Sequence, residues 1–228
     1  MGLDLVELWE QMSIVVKIIT VLMILMSVFM FYVITERLLT YNAASSQSIR
    51  YVQALGQYLR QHKVSEALQS ARGANKSPVA KVMESGLTAL LQGREALKTE
   101  GPDDVGDFDL VDSVNRALER VKERETSNLR RGLPYLGTVA SATPFIGLLG
   151  TVVGILGTFQ LLKGGSVTIN EIGPKISEAL VSTALGLGVA IIAAMAFNFF
   201  TSRVEQFVID MNDVSSEFID YVLREGRA

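Results

Sequence analysis

From Gly132 to Leu162 the chain reads GLPYLGTVASATPFIGLLGTVVGILGTFQLL, 31 residues without a charged side chain. At 1.5 Å per residue this run makes about 46 Å of helix, more than the roughly 30 Å of hydrocarbon in a bilayer. The excess predicts a membrane span (132–162) that protrudes on one side, with Pro134 and Pro144 as candidate kinks. Within it, Gly147, Thr151, Gly154 and Thr158 follow at steps of four, three and four, so they share one helix face, flanked by Gly150 and Gly157. Hydroxyls gain nothing from lipid, so such residues face other helices or a wet path. A plain packing seam is the simpler reading of the same face.

Two more apolar runs complete the pattern. No charge occurs between Lys17 and Glu36, which gives a first span over 17–39. The run Ala179 to Ser202 gives a third, over 176–202. It repeats the small-residue stripe with Ala179, Thr183, Gly186 and Ala190, with Ser182 beside Thr183 and Glu178 one turn earlier. Hydroxyls can hold water or a cation without trapping it. A carboxylate at Glu178 can draw cations to the end of the span; its simpler readings are a charge that snorkels to the interface or one that pairs with Lys175. The fold class expected is an all-α integral membrane protein with three transmembrane helices and long cytoplasmic helical extensions.

Lys and Arg set the orientation. Residues before Lys17 carry Asp4, Glu7 and Glu10 and no base, whereas Arg37, Arg50 and Arg60 follow the first span. Lys122, Arg124, Arg130 and Arg131 precede the second span, and Arg203, Arg224 and Arg227 follow the third. The N-terminal segment 1–16 and the short connector 163–175 are expected outside, and 40–131 and 203–228 in the cytoplasm. An acidic lead and a long apolar run argue for a retained span rather than a cleaved signal. Leu5, Trp9, Met12 and Val16 are spaced as on a short surface helix, with Trp9 at the headgroups.

The cytoplasmic segment reads as helices over 48–61, 64–72 and 78–91. Six acids and no base lie between Glu100 and Asp112; Asp103 to Asp107 lacks the spacing and closing glutamate of a calcium loop, so a solvated loop is expected. Val111, Val114, Leu118, Val121 and Leu129 then recur at helical steps, and this helix is expected to continue into the second span.

Composition excludes several chemistries. There is no cysteine, and the single histidine, His62, sits in a polar stretch as a solvated residue. Thiol chemistry and zinc sites are therefore absent from the expectation. A net charge of −3 gives no basic field for nucleic acid. Gly147 to Thr151 lacks the lysine of a phosphate loop, and no nucleophile–base pair stands out, so no enzyme and no cofactor are expected.

No Asp or Glu lies deep in any span, yet a proton carrier needs a titratable group at depth. If this chain moves protons, the carboxylate comes from another subunit. Leu133 to Gly137, Thr143 to Gly154 and Ile176 to Gly186 together resemble the TolQ/ExbB/MotA family of inner-membrane motor stators, closest to its TolQ and ExbB branch. The resemblance implies a homo-pentamer around a central pore, enclosing a dimer of a single-span TolR/ExbD-like partner with an aspartate in its span. It implies that Thr151 and Thr183 are pore threonines and that Glu178 is the acid at the start of the third span. Gly147, Gly154, Thr158 and Gly186 would pack helices or line the pore. Proton flow down the membrane gradient would then do work on the partner, with about 2.3 kcal/mol available per charge per 100 mV. The chain departs from relatives in having Ile192 where many have a mid-span proline, and Ser182 where proton-driven members commonly have alanine. The extra hydroxyl keeps Na+ as an alternative to H+. A membrane scaffold is the rival reading; a transporter with its own substrate site lacks both an inverted repeat and a charge at depth.

Overall fold

A computed structural model describes residues 9, 12–99, 109–162 and 169–225. Among them the regular structure is helical: α1 (Ile14–Arg60), α2 (Val64–Gly73), α3 (Pro78–Thr99), α4 (Leu110–Leu129), α5 (Leu133–Leu162) and α6 (Ile169–Glu225). Three stretches are long and apolar enough to cross a membrane, within Ile14–Arg60, Leu110–Gln160 and Ile172–Arg224. Helices suit lipid because every backbone group finds its partner within the segment. The chain divides into two compact units, one of Met1–Glu36 with Gly132–Phe200 and one of Arg37–Arg131 with Thr201–Ala228.

In the first, apolar unit, Ser13 caps α1, its Oγ accepting from Val16 N at 3.4 Å. Val16, Ile19, Met23, Met30 and Val33 turn inward, whereas Ile18 and Leu25 on the other face are more than 60% exposed. An apolar face this bare is costly in water and costs nothing in hydrocarbon or against another helix. Pro134 falls in the first turn of α5, where a missing N–H costs nothing, so it makes no kink; Pro144 lies inside the helix. Tyr135 ties α5 to α1: its hydroxyl donates to Met26 O at 2.8 Å and its ring meets Phe29 edge-on.

The second, polar unit has its own core of Leu55, Met83, Leu87, Leu90, Leu118, Met211 and Phe218. Gly86 leaves room for it, since a Cβ there would fall 2.5 Å from Leu118 Cδ2. Both ends of α4 are capped. Asp109 accepts from the backbone N–H groups of Val111 and Asp112. At the other end, Arg37 Nη1 donates to Asn128 O at 3.4 Å and Tyr41 Oη to Leu129 O at 2.6 Å, placing a buried cation at the negative pole of the helix. Buried Glu125 is satisfied by Lys81 Nζ at 2.8 Å and Asn128 Nδ2 at 3.0 Å. His62 is exposed, in the turn after α1, with φ of 57°.

Element boundaries differ from the sequence expectation in three places. Nothing breaks α1 between residues 39 and 48, so the first span and the helix expected at 48–61 are one element. The third span and the C-terminal helix likewise merge in α6, which already begins at Ile169 and holds Pro174. Conversely, the continuity expected ahead of the second span is interrupted: Arg130 to Gly132 form a turn, and Gly132 takes φ of 83°, in the left-handed region that glycine enters without a Cβ clash. The acidic loop at 100–108, most of the N-terminal surface helix and residues 163–168 of the connector lie outside the described residues.

Candidate functional site: the hydroxyl seam between α5 and α6

The small-residue faces of α5 and α6 meet each other. A Cβ on Gly147 would lie 3.0 Å from Ser182 O and 3.1 Å from Thr183 Cα, and one on Gly186 only 2.6 Å from Thr143 O. These are backbone atoms that cannot swing aside, so the two helices approach as closely as glycine permits. Gly154 abuts Ala179, with 2.9 Å between its would-be Cβ and the alanine methyl. Thr158, buried, bonds back to Gly154 O within its own helix at 3.1 Å.

In this seam the hydroxyls of Thr151 and Thr183 are hydrogen-bonded to each other. Thr151 Oγ1 also lies 3.1 Å from Ala179 O and 3.4 Å from Gly147 O, and Thr183 Oγ1 lies 3.1 Å from Gly147 O. Two protons thus serve four oxygens. The cluster has no N–H donor and no carboxylate, so its spare capacity is for accepting a hydrogen bond or contacting a cation. Both threonines are half-buried, so the cluster is within reach of a group outside the chain.

Ser182, beside the pair, is fully buried, and its hydroxyl has no hydrogen-bond partner among the described residues. A helical serine ordinarily bonds back to the preceding turn. Here its Oγ fills the space that Gly150 leaves open, 2.1 Å from where a Cβ would stand. Thr20 on α1 is another buried hydroxyl without a hydrogen-bond partner among the described residues.

Glu178 is 2% exposed. Its Oε1 accepts from the backbone N–H of Ser13 at 2.9 Å, and its Oε2 is 3.5 Å from Lys175 Nζ. The carboxylate therefore sits on the N-terminus of α1, where the helix dipole favours negative charge. Pairing with Lys175 was readable from the three-residue step. Ser13 was overlooked, although a serine just ahead of an apolar run is a helix-start signal. Among the described residues no group of three His, Cys, Asp or Glu side chains is placed to hold a metal ion.

The stretch that builds this seam is also the stretch shared with known proteins. Residues 74–213 match the MotA/TolQ/ExbB proton channel family. This chain belongs to that family. A Tol-Pal system protein TolQ of Haemophilus influenzae is 30% identical over 225 residues, 98% of this chain and 96% of the relative. The TolQ of Pseudomonas aeruginosa is 38% identical over 110 residues, 48% of each chain. A biopolymer transport protein ExbB of Xanthomonas campestris is 46% identical over 97 residues, 42% of this chain and 38% of the relative. Likeness to the Haemophilus TolQ thus runs along nearly the whole chain, and likeness to the Xanthomonas ExbB is denser but shorter. Thr151, Ser182, Thr183 and Glu178 all fall inside the residues that match the MotA/TolQ/ExbB family.

Proposed function

We propose that this chain is the stator and channel subunit of a proton-motive-force-driven motor of the bacterial inner membrane. It couples ion flow to mechanical work on a single-span TolR/ExbD-like partner that reaches into the cell envelope. The single observation that carries the reading is the pair Thr151–Thr183: an acceptor-rich, half-buried cluster in spans whose one acid, Glu178, stands at the end of the third rather than at depth. Such a cluster is half of a proton site. The other half is a carboxylate on the partner, which alternates between a protonated form bonded to these oxygens and an ionised form released from them.

The working assembly in this reading is a homo-pentamer around a central pore, with a partner dimer inside and lipid outside. Its N-terminus is periplasmic, and its polar unit is cytoplasmic, where the Lys and Arg clusters belong. Reconstituting the chain with the partner that co-purifies from its native membrane, and measuring acidification of vesicles under an imposed potential, tests the reading. Flux that needs both proteins supports it; a tight complex that passes no ions contradicts it.

A sodium-driven version of the same motor is the second reading. The observation in its favour is Ser182, whose buried hydroxyl adds an oxygen beside Thr183 that is not taken up by another group. Replacing sodium by potassium separates the two. Activity that persists unchanged without sodium removes the second reading.

A further inference from the structure

The acid at the start of α6 is engaged within the chain itself. Glu178 is nearly sealed from solvent, and each of its oxygens has a partner: Ser13 N–H on Oε1 and Lys175 Nζ on Oε2. A hydrogen bond to an ionised carboxylate is strong, and it is stronger where water is excluded. The donor is the backbone at the N-terminus of α1, 165 residues away in sequence. Next to it Met12 and Val16 are buried, so the contact closes an apolar joint at this end of the unit. Thr183 lies five residues beyond Glu178, about 7.5 Å along α6.

We propose that Glu178 is a latch rather than an open ion ligand: it fixes the N-terminal end of α1 to α6, and Ser13 and Lys175 are its positioning partners. The first span supplies no hydroxyl to the Thr151–Thr183 pair, although its Ile19 stands against Gly150; through this latch it sets where α6 stands, and so how Thr183 meets Thr151. The proposal rests on the stator reading for its flux assay, but not for its structural assay.

The chain lacks cysteine, so single cysteines can be introduced cleanly. Ser13→Pro removes the donor N–H at a position where proline is tolerated, just ahead of a helix. Ser13→Ala keeps the N–H and removes only the hydroxyl. In the reconstituted complex, Ser13→Pro and Glu178→Ala should each lower ion flux roughly tenfold, as expected for losing one hydrogen bond to a charged group. The double variant should be no worse than either alone, and Ser13→Ala, which keeps the N–H but loses the cap bond to Val16, should lose clearly less than Ser13→Pro. A spin label on Ile18→Cys, exposed one turn further along α1, should gain mobility in Ser13→Pro and Glu178→Ala, and less in Ser13→Ala, which loses only the cap bond to Val16.

The deciding variant carries Ser13→Cys and Glu178→Cys. Bridging the two thiols with a short bis-methanethiosulfonate reagent restores the tie without restoring a carboxylate. A latch predicts that flux recovers on bridging and falls again with dithiothreitol. A bridge proven by mass that leaves flux as low as before shows that the carboxylate itself is required, and overturns the proposal. Parent-like label mobility in both Ser13→Pro and Glu178→Ala overturns it as well. If the parent complex passes no ions, the stator reading fails, and the latch is decided by the label alone.

Discussion

Thr151 and Thr183 hydrogen-bond to each other across the seam of α5 and α6, and their other neighbours within reach are carbonyl oxygens. A hydroxyl pair that is satisfied at rest can open to accept a proton donor without leaving a buried group unpaired, because each hydroxyl retains a carbonyl to bond. The pair is therefore suited to a transient visitor. Its geometry depends on the glycines around it.

The first prediction concerns that dependence. Gly186→Ala places a methyl 2.6 Å from Thr143 O, so the helices must separate. Overpacking of this kind costs about 1–3 kcal/mol. Among the described residues, nothing lies within 4 Å of a would-be Cβ on Gly157 or Gly188, and alanine there should be neutral or gain up to about 1 kcal/mol in helix propensity. Thermal unfolding in detergent should rank Gly186→Ala clearly below the parent and the other two at or above it. Equal melting of all three would show that the seam is looser than described.

The three spans were legible because a run of some 20 uncharged apolar residues has few alternatives. The hydroxyl faces were legible too, since Gly147, Thr151, Gly154 and Thr158 obey helical spacing. Their partner was not: periodicity says which residues share a face, not whether it meets a helix of the same chain or of another copy. Glu178 and Ser13 are far apart in sequence, so no local pattern could join them. Gly132 is one glycine among several, and only its backbone angle marks it as the end of a turn. The stretch from residue 39 to 48 holds no breaker, and ending the first span where the apolar run ended mistook the membrane boundary for a helix boundary.

A second prediction tests the cap of α4. Tyr41→Phe deletes the donor to Leu129 O, leaving a buried carbonyl short of a partner. Such a loss costs about 1–3 kcal/mol. Urea unfolding followed by circular dichroism should show the decrease. Tyr58→Phe, which removes a hydroxyl with no part in this cap, serves as the control; the same decrease in both would dissolve the claim.

Tyr51 gives a third prediction, of opposite sign. Its hydroxyl is buried with no hydrogen-bond partner among the described residues, and burial, with the Glu84 carboxylate adding to it, pushes the phenol well above its ordinary value. The stability linked to keeping it protonated is complete below about pH 10, where the unfolded phenol is neutral as well, and is lost as pH rises from there through the raised folded value. Tyr51→Phe should therefore be neutral or stabilising by about 1 kcal/mol at pH 7, and should flatten the alkaline loss. A drop of more than about 2 kcal/mol at pH 7 would mean that the hydroxyl has a partner.

The most direct measurement is ion flux through the reconstituted complex with Thr151→Val and Thr183→Val, compared with the parent at equal assembly by size-exclusion chromatography. Valine keeps the shape and removes the hydroxyl, so the seam should still pack. If the pair serves an ion path, assembly stays at the parent level and flux falls roughly tenfold or more, as expected when a hydrogen bond to a charged group is lost. Normal flux in both variants, with assembly intact, would reduce the hydroxyls to packing and contradict the stator mechanism.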